Sequence, residues 1–486
     1  MPASFDSSPR VMIAGLSGDS GKTVVSLGLL LLARRSGIPT AAFKKGPDYI
    51  DAAWLSWACG CTARNLDTYL MGREAVAQSF HAHSAPTGFD LIEGNRGLYD
   101  GLDSSGTHSS AELAKLLRAP VVLVLNAAKV TRTLAASVLG CQKLDPEVQI
   151  AGVILNRVCG RRHETVIRES LEQVCDVPLL GVLPRMDESE LLPGRHLGLV
   201  TPQEHGQLAK LCASVLSLAE KGLQFDRIME VARSAASLSI KAPDVSERVN
   251  GQGLRIAYLR DSAFTFYYPE NLESLERSGA QLIPFSSLTA RHVPEAADAL
   301  YVGGGFPETH AGELSANTDL LASIREAAAG GLPIYAECGG LMLLSDAVCW
   351  KGKRFPMAGV LPFEVEVCAK PQGHGYIELE VDRANPYYDL GTRIRGHEFH
   401  YSRIVPGISA PPTACRVTRG TGSCAGRDGI FLKNVWASYA HIHAVGTPEW
   451  ANGFLRQARA YSLRRTNHKQ HTDGLELTAK PLAVTR

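Results

Sequence analysis

The stretch VMIAGLSGDSGKT, residues 11–23, decides the fold of the first half of this chain. Its apolar start, Val11–Ala14, is long enough for a buried strand, and the apolar run from Val24 to Ala33 predicts a helix directly after the glycine loop. Glycines let phosphates approach backbone N–H groups at a positive helix end, and Lys-Thr adds a cation and a hydroxyl for Mg²⁺. Five residues rather than four separate Gly15 from Gly21, which departs from the usual P-loop. We therefore predict a nucleotide site here, with an ordinary strand-to-helix turn as the alternative.

Two further strand ends carry polar residues that suit the same site. A strand over Thr40–Lys44 precedes Gly-Pro-Asp-Tyr-Ile-Asp51, and a strand over Phe89–Glu93 ends in an acid. Ligands bind at the carboxyl ends of strands in open α/β sheets, so Glu93 with Thr23 is our candidate Mg²⁺ site. A surface turn with self-paired charges is the alternative for the first stretch. The residues that we predict to bind ATP are Gly18, Asp19, Ser20, Gly21, Lys22, Thr23 and Lys44.

Composition describes a globular chain of more than one domain. Its 486 residues exceed the size at which single cores stop growing, and 45% are apolar. A net charge of +1 gives no reason to expect nucleic acid or a membrane surface as a partner. The 11 cysteines lack metal-type spacing, the start of the chain is polar, and no apolar run is long enough for a membrane span. We expect a cytoplasmic protein and leave a homodimer open.

Strand and helix patterns alternate twice along the chain. Up to about residue 224 the strands are nearly continuous apolar runs, which predicts an α/β fold with a doubly wound parallel sheet covered on both faces. A polar stretch at 241–253 marks a boundary, after which the α/β pattern restarts, and 370–432 reads as antiparallel strands. We expect a P-loop domain over 1–245, a second domain over 250–460 and a disordered polar tail over 461–486.

A second candidate site lies around AECGGLMLL, residues 336–344. A cysteine at a sharp strand-to-helix turn is held clear of the sheet, and the helix N-terminus is expected to favour the thiolate. Cys338 is the candidate nucleophile, the N–H of Gly339 can donate to an oxyanion, and Gly304 of a glycine loop is the candidate second donor. His441 is the candidate base, with His443 as its orienting partner or a spectator. A lone cysteine here would instead be a core residue.

These stretches together resemble the cobyrinic acid a,c-diamide synthase family over most of the chain, from about residue 10 to 460. The motifs that carry the resemblance are SGKT (20–23), FK with GPDYID (43–51), RNLD (64–67), EG with GLYDG (93–101), GGGFPE (303–308), ECGGLM (337–342), GHEFHYS (396–402) and SYAH (438–441).

The resemblance implies an N-terminal ATP-dependent synthetase, similar to dethiobiotin synthetase, fused to a class I glutamine amidotransferase domain. On that pattern Cys338 is the nucleophile and His441 its base, and ammonia from glutamine passes inside the protein to the synthetase site. ATP with Mg²⁺ then activates the a and c acetate carboxylates of a tetrapyrrole macrocycle as acyl phosphates, and ammonia converts them to amides. The side chains that we assign to this substrate are Asp48, Tyr49, Asp51 and Asp100.

Some residues depart from the wider patterns. Where many class I glutaminases have His-Pro-Glu, this chain has His441-Ile-His443, which implies a Cys–His pair without a glutamate. Asn126 stands where an aspartate is expected in corrin-pathway members, so sirohydrochlorin remains an alternative macrocycle. Cobyric acid synthase is a further enzyme alternative. A regulatory P-loop ATPase with an inactive glutaminase-like domain is disfavoured, because Ser17 stands where such ATPases carry a lysine.

Overall fold

The computed structural model describes residues 4–5, 8–185, 194–195, 198–240, 249–405 and 411–478. The chain forms two compact units, 1–244 and 245–486. Of the stretch that we predicted as a boundary, 241–253, residues 241–248 lie outside the described residues. In the described part of the chain, none of the helices is both long enough and apolar enough to cross a bilayer.

The first unit contains a seven-stranded sheet whose strands are all parallel. The strands of this unit are β1 Ser4–Phe5, β2 Arg10–Gly15, β3 Thr40–Lys45, β4 Arg64–Leu66, β5 Phe89–Glu93, β6 Val121–Asn126, β7 Ile150–Val158, β8 Leu179–Pro184, β9 Gly194–Arg195, β10 Gly198–Leu199 and β11 Leu238–Ser239. Its α-helices are α1 Lys22–Arg35, α2 Tyr49–Cys59, α3 Arg73–His83, α4 Ser110–Leu116, α5 Thr133–Leu144, α6 Arg161–Val174, α7 Leu208–Gly222 and α8 Phe225–Arg233.

The strand order of this sheet, β4-β3-β5-β2-β6-β7-β8, reverses direction at β2. Because parallel crossovers are right-handed, connections that run in opposite directions along the sheet place their helices on opposite faces. The contacts of α1 with α2, and of α5 with α6, agree with one such pair on each face. Strands β2, β5 and most of β6 are buried along their length, as their near-continuous apolar runs predict. The doubly wound sheet is therefore confirmed, with the glycine loop at the reversal point, where α/β proteins bind ligands.

Two local features of this unit differ from the sequence analysis. We predicted no helix over 49–59, yet α2 begins there because Asp48 Oδ1 accepts hydrogen bonds from Ile50 N and Asp51 N, at 2.8 and 2.9 Å. The sequence of residues 201–224 predicts one helical stretch, but the structure has a 3₁₀ turn, Pro202–Glu204, followed by α7.

The second unit contains a mixed ten-stranded sheet and a four-stranded sheet. The larger sheet has the order β13-β12-β14-β15-β24-β23-β22-β19-β20-β25, and the smaller one has the order β17-β16-β18-β21. The strands are β12 Arg255–Leu259, β13 Gln281–Phe285, β14 Ala299–Val302, β15 Ile334–Glu337, β16 Ser345–Trp350, β17 Lys353–Pro356, β18 Leu361–Val367, β19 Gly373–Val381, β20 Arg393–His400, β21 Ser402–Val405, β22 Thr413–Arg419, β23 Arg427–Leu432, β24 Val435–Ser438 and β25 His441–Ile442.

The helices of the second unit are α9 Pro269–Arg277, α10 Ala311–Ala316, α11 Thr318–Ala329, α12 Gly339–Leu344 and α13 Glu449–Thr478, with a 3₁₀ turn at Pro307–His310. Strands β13, β12, β14, β15 and β24 are parallel, and the rest of the ten-stranded sheet is antiparallel. The antiparallel strands expected over 370–432 are thus observed. Strands β15 and β24 are neighbours in the parallel part of the sheet.

Over 461–478, part of the stretch for which we expected a disordered tail, the backbone continues α13. The reason is packing, because Trp450 and Phe454 on this helix contact the buried ring of Tyr335, with centroids 5.9 and 6.1 Å apart. Further along, Arg465 Nη2 lies 2.6 Å from Asp298 Oδ1.

Candidate active sites

The glycine loop after β2 closes tightly over the start of α1. Gly21 adopts φ 92°, a conformation that costs glycine little, and it precedes the first residue of the helix. The ammonium of Lys22 donates to the carbonyl oxygens of Ser17, at 2.8 Å, and Arg96, at 2.9 Å. The side chain of Lys22 is therefore held over the loop, where a phosphate chain would meet it.

Burial changes the acid–base behaviour of the Lys22 ammonium. The side chain is nearly buried, and desolvation together with the charge of Lys44 lowers its pKa to about 8. An anionic ligand would offset both effects, since a buried cation without a counter-charge is unfavourable. This electrostatic state fits a phosphate-binding lysine.

Four side chains meet where β3 and β5 end beside the loop. Lys44 Nζ lies 2.7 Å from Glu93 Oε1 and 2.6 Å from Asp51 Oδ2, and Thr23 Oγ1 donates to Glu93 Oε1 at 3.2 Å. The two carboxylates raise the pKa of Lys44 against strong desolvation. Burial raises the pKa of Glu93, although Lys44 opposes this shift. The structure thus brings together the three predicted residues Thr23, Lys44 and Glu93, and adds Asp51.

This cluster fits a magnesium ion bound with a nucleotide. Glu93 Oε2 is buried and accepts no hydrogen bond among the described residues, so one carboxylate oxygen is available as a ligand. The described part of the chain contains no group of three or more His, Cys, Asp or Glu side chains able to hold a metal by themselves. Mg²⁺ suits such a site, because it commonly takes one or two protein oxygens and completes its shell with phosphate and water.

The predicted substrate residues have different positions. Asp48 caps α2, and burial beside Asp51 raises its pKa to about 6. Asp51 pairs with Lys44, and Tyr49 is the first residue of α2. Asp100 is exposed, and its Oδ2 accepts from Gly97 N at 2.8 Å, which closes the loop after β5. The hydrogen bonds that Asp48 and Asp100 accept therefore stabilise the local backbone around each residue.

Asn156, on β7, lies near the loop. Its Nδ2 donates to Ser20 O at 3.1 Å. It braces the glycine loop from the neighbouring strand.

In the second unit, Cys338 occupies a strained turn between β15 and α12. Its backbone has φ 47° and ψ −96°, which is unusual for a residue with a side chain. Its N–H donates to Ser438 O at 2.7 Å, and Gly340 packs closely against Val302. The strand-to-helix turn therefore has the geometry that presents a nucleophile.

The expectation that the helix N-terminus favours the thiolate is wrong for this structure. Burial raises the pKa of the Cys338 thiol, and the carboxylate of Glu308 raises it further. The N–H of Gly339 lowers it, but α12 has only six residues, and burial dominates. The thiol therefore needs a base to remove its proton.

Gly304 is not the oxyanion donor that we predicted. Its N–H donates to Phe266 O at 3.3 Å, and Gly303 N donates to Tyr267 Oη at 2.9 Å. Gly305 N lies 3.1 Å from the position that a Cβ on Gly339 would occupy. Gly305 is therefore the residue of this loop whose N–H is next to the turn. Gly304 instead lies directly against the imidazole of His441.

His441 begins β25 and is nearly buried. Its Nδ1 lies 3.3 Å from Glu337 Oε2, and Glu337 is completely buried. Glu337 stands within the ECGGLM motif, but from the sequence we assigned it no role. The second histidine, His443, pairs separately with Glu270, with Nε2 3.5 Å from Oε2. His443 is thus directed at another acid.

Comparisons with known proteins match both halves of the chain. Residues 11–200 match the family described as CobQ/CobB/MinD/ParA nucleotide binding domain, and residues 255–448 match the CobB/CobQ-like glutamine amidotransferase domain. A cobyrinate a,c-diamide synthase from Magnetococcus marinus is 42% identical over 91% of this chain and 96% of its own length. The chain belongs to the cobyrinate a,c-diamide synthase family. Relatives of the same name from Caldanaerobacter subterraneus and Archaeoglobus fulgidus are 39% and 38% identical, each over 93% of this chain and 98% and 97% of their own lengths.

Membership places the chain among the amide-forming ligases that use glutamine, and the nucleotide-binding domain implies ATP. The elbow at Cys338 lies within the amidotransferase match, and the glycine loop lies within the nucleotide-binding match. The combination of a P-loop half with a glutaminase half, predicted from the motifs, is confirmed at the level of family and fold.

Proposed function

We propose that this chain amidates the a and c acetate carboxylates of cobyrinate, with ATP as the energy source and glutamine as the nitrogen donor. The observation that carries the proposal is the presence of two sites in one chain of this family. One is the Thr23–Lys44–Glu93 cluster at a P-loop, and the other is a strained cysteine whose neighbour in sequence, Glu337, pairs with His441. The names of the relatives support cobyrinate as the substrate.

Glutamine hydrolysis belongs to the second unit. His441 takes the proton from Cys338, and the thiolate attacks the side-chain amide of glutamine to form a tetrahedral oxyanion. The N–H groups of Gly339 and Gly305 stabilise that oxyanion. Collapse to a thioester releases ammonia, which receives a proton from His441. Water then attacks the thioester through a second oxyanion and releases glutamate.

Amide formation belongs to the first unit. The substrate carboxylate attacks the terminal phosphorus of ATP to give an acyl phosphate and ADP, and ammonia then displaces phosphate. Lys22 and Lys44 neutralise the charge that develops on the transferred phosphoryl group. Thr23 and Glu93 would hold Mg²⁺, which, when bound, draws charge from the phosphate oxygens.

A direct test offers cobyrinate and sirohydrochlorin separately with ATP and glutamine and follows product masses. We expect two successive acid-to-amide exchanges on cobyrinate, each requiring both cosubstrates. Amidation of sirohydrochlorin alone would overturn the assignment of the macrocycle. Failure to amidate either compound, despite glutamine hydrolysis, would overturn the proposed reaction.

A further inference from the structure

The histidine of the glutaminase site has a carboxylate partner that its own motif does not supply. Two residues after His441, where a glutamate stands in many class I glutaminases, this chain has His443. The acid that contacts Nδ1 of His441 comes instead from Glu337, the residue immediately before the nucleophile. Both side chains are nearly or fully buried, so their contact lies in a medium of low dielectric.

The position of Glu337 is set by the parallel pairing of β15 with β24. Glu337 lies opposite Ser438 in this register, and His441 follows three residues later at the same end of the sheet. The two residues are 104 positions apart in sequence, so this contact depends on the fold. Because Glu337 and Cys338 are adjacent, the same strand end presents both the nucleophile and the acid.

A buried polar network holds the carboxylate in place. Tyr301 Oη donates to Glu337 Oε1 at 3.3 Å, and Asn271 Nδ2 lies 3.4 Å from the same hydroxyl oxygen. Asn271 also donates to Ile442 O at 2.9 Å and accepts from Ala444 N at 2.7 Å. Asn271 therefore links the acid and the strand that carries the histidine, which restrains the distance between them.

We propose that Glu337 is the positioning residue of the glutaminase, holding His441 with Nδ1–H toward the carboxylate and Nε2 available for the proton of Cys338. This inference rests on the proposed glutaminase chemistry. When Nε2 takes the proton, the imidazolium lies against the Glu337 carboxylate, which stabilises the charge that forms. The proton then passes from Nε2 to the departing ammonia, so Glu337 remains a carboxylate throughout.

Glu337→Gln tests this role, because glutamine keeps the shape but can donate N–H to Nδ1. The proton of the imidazole would then sit on Nε2, where it blocks proton removal from the thiol. We expect kcat for glutamine hydrolysis to fall by about 100- to 10,000-fold. KM for glutamine and ammonia-dependent amidation should stay close to the wild-type values. A kcat within about 3-fold of wild type in the folded variant would overturn the proposal.

Two further variants separate positioning from structural damage. Glu270→Gln is the matched control, since it alters the acid that faces His443, and we expect it to retain glutamine hydrolysis. A loss as large as that of Glu337→Gln would overturn the assignment.

Tyr301→Phe leaves the acid and the imidazole intact but removes the hydrogen-bond donor to Glu337 Oε1. We expect a smaller fall in kcat for glutamine hydrolysis. This variant tests the role of Glu337 should Glu337→Gln not fold. A wild-type kcat in Tyr301→Phe, with an unfolded Glu337→Gln, would count against the network.

The readout is hydrolysis of glutamine without macrocycle, so it is independent of the acceptor. A wild-type enzyme that hydrolyses glutamine but does not amidate cobyrinate would refute the proposed substrate and leave the Glu337 test valid. In the wild type we also expect a strongly downfield proton resonance for the imidazole N–H of His441, absent in Glu337→Gln. Its presence in both proteins would contradict the Glu337–His441 hydrogen bond.

Discussion

Lys44 and Glu93 form an ion pair almost completely removed from solvent, with Nζ 2.7 Å from Oε1. The two residues lie opposite each other on the neighbouring parallel strands β3 and β5, so the sheet itself sets their separation. Such pairs are sensitive to loss of one partner, because the remaining charge is buried without compensation. Here the arrangement is asymmetric, since Lys44 has a second acid, Asp51, and Glu93 has no second cation at salt-bridge distance among the described residues.

This asymmetry predicts unequal costs for the two neutral substitutions. Lys44→Met leaves the buried Glu93 and the partly buried Asp51 without their cation and should lower the free energy of unfolding by about 3–5 kcal/mol. Glu93→Gln leaves Lys44 paired with Asp51 and should cost clearly less. Urea unfolding of both variants and of the double variant measures the difference. Equal costs would mean that Asp51 contributes nothing to the stability of the cluster.

The buried carboxylate of Asp90 predicts a dependence of stability on pH. Burial raises its pKa from 3.8 to about 6, against hydrogen bonds from Ser8 and from Ala85 N. The unfolded chain therefore loses this proton at lower pH than the folded protein does. The group lowers stability progressively as pH rises from about 4 to about 6, and the full cost is present above that range.

Asp90→Asn should therefore stabilise the protein at pH 7, by about 1–3 kcal/mol, and have little effect below pH 4. Denaturant unfolding of wild type and variant at pH 4, 5, 6 and 7 checks this. A stability difference that does not change over this range would show that the carboxyl group does not titrate as described.

Cys338→Ala should separate the two nitrogen sources. The variant lacks the nucleophile, so glutamine-dependent amidation should fall to the background of the assay, while amidation with added ammonium salt continues at the synthetase site. Cys368→Ala, at a half-buried cysteine outside the elbow, is the control and should retain both activities. Loss of both activities in a folded Cys338→Ala protein would contradict the division of work between the two units.

Local sequence signals predicted much of both sites. Strand, glycine loop and helix follow one another within a few residues at Lys22 and again at Cys338, so each turn could be predicted from its own segment. Asp48 as an N-cap residue, with Asp51 three residues later, is also a pattern that predicts the start of a helix.

What could not be predicted depends on pairing between distant segments. Glu337 meets His441 only through the register of β15 and β24. Gly304 turns its N–H away from the elbow because it forms a bridge with Phe266. The raised pKa of Cys338 follows from burial and from Glu308, neither of which its own segment reveals. The local signal, a helix that begins just after Cys338, predicts a lowered thiol pKa. Burial in the folded protein has the larger effect and raises the pKa instead.

Gly304→Ala should abolish glutamine use, because the new methyl group would occupy the space of the His441 ring and would lie 3.3 Å from Phe266 Cβ. Phe266 is held by the backbone bridge, so the imidazole must leave its position beside Glu337. Gly312→Ala is the matched control, since a Cβ there meets nothing within 4 Å. We expect a large fall in kcat for glutamine hydrolysis in the first variant, with ammonia-dependent amidation retained, and wild-type values in the second. Unchanged hydrolysis in Gly304→Ala would mean that the observed position of His441 is not the one used in catalysis.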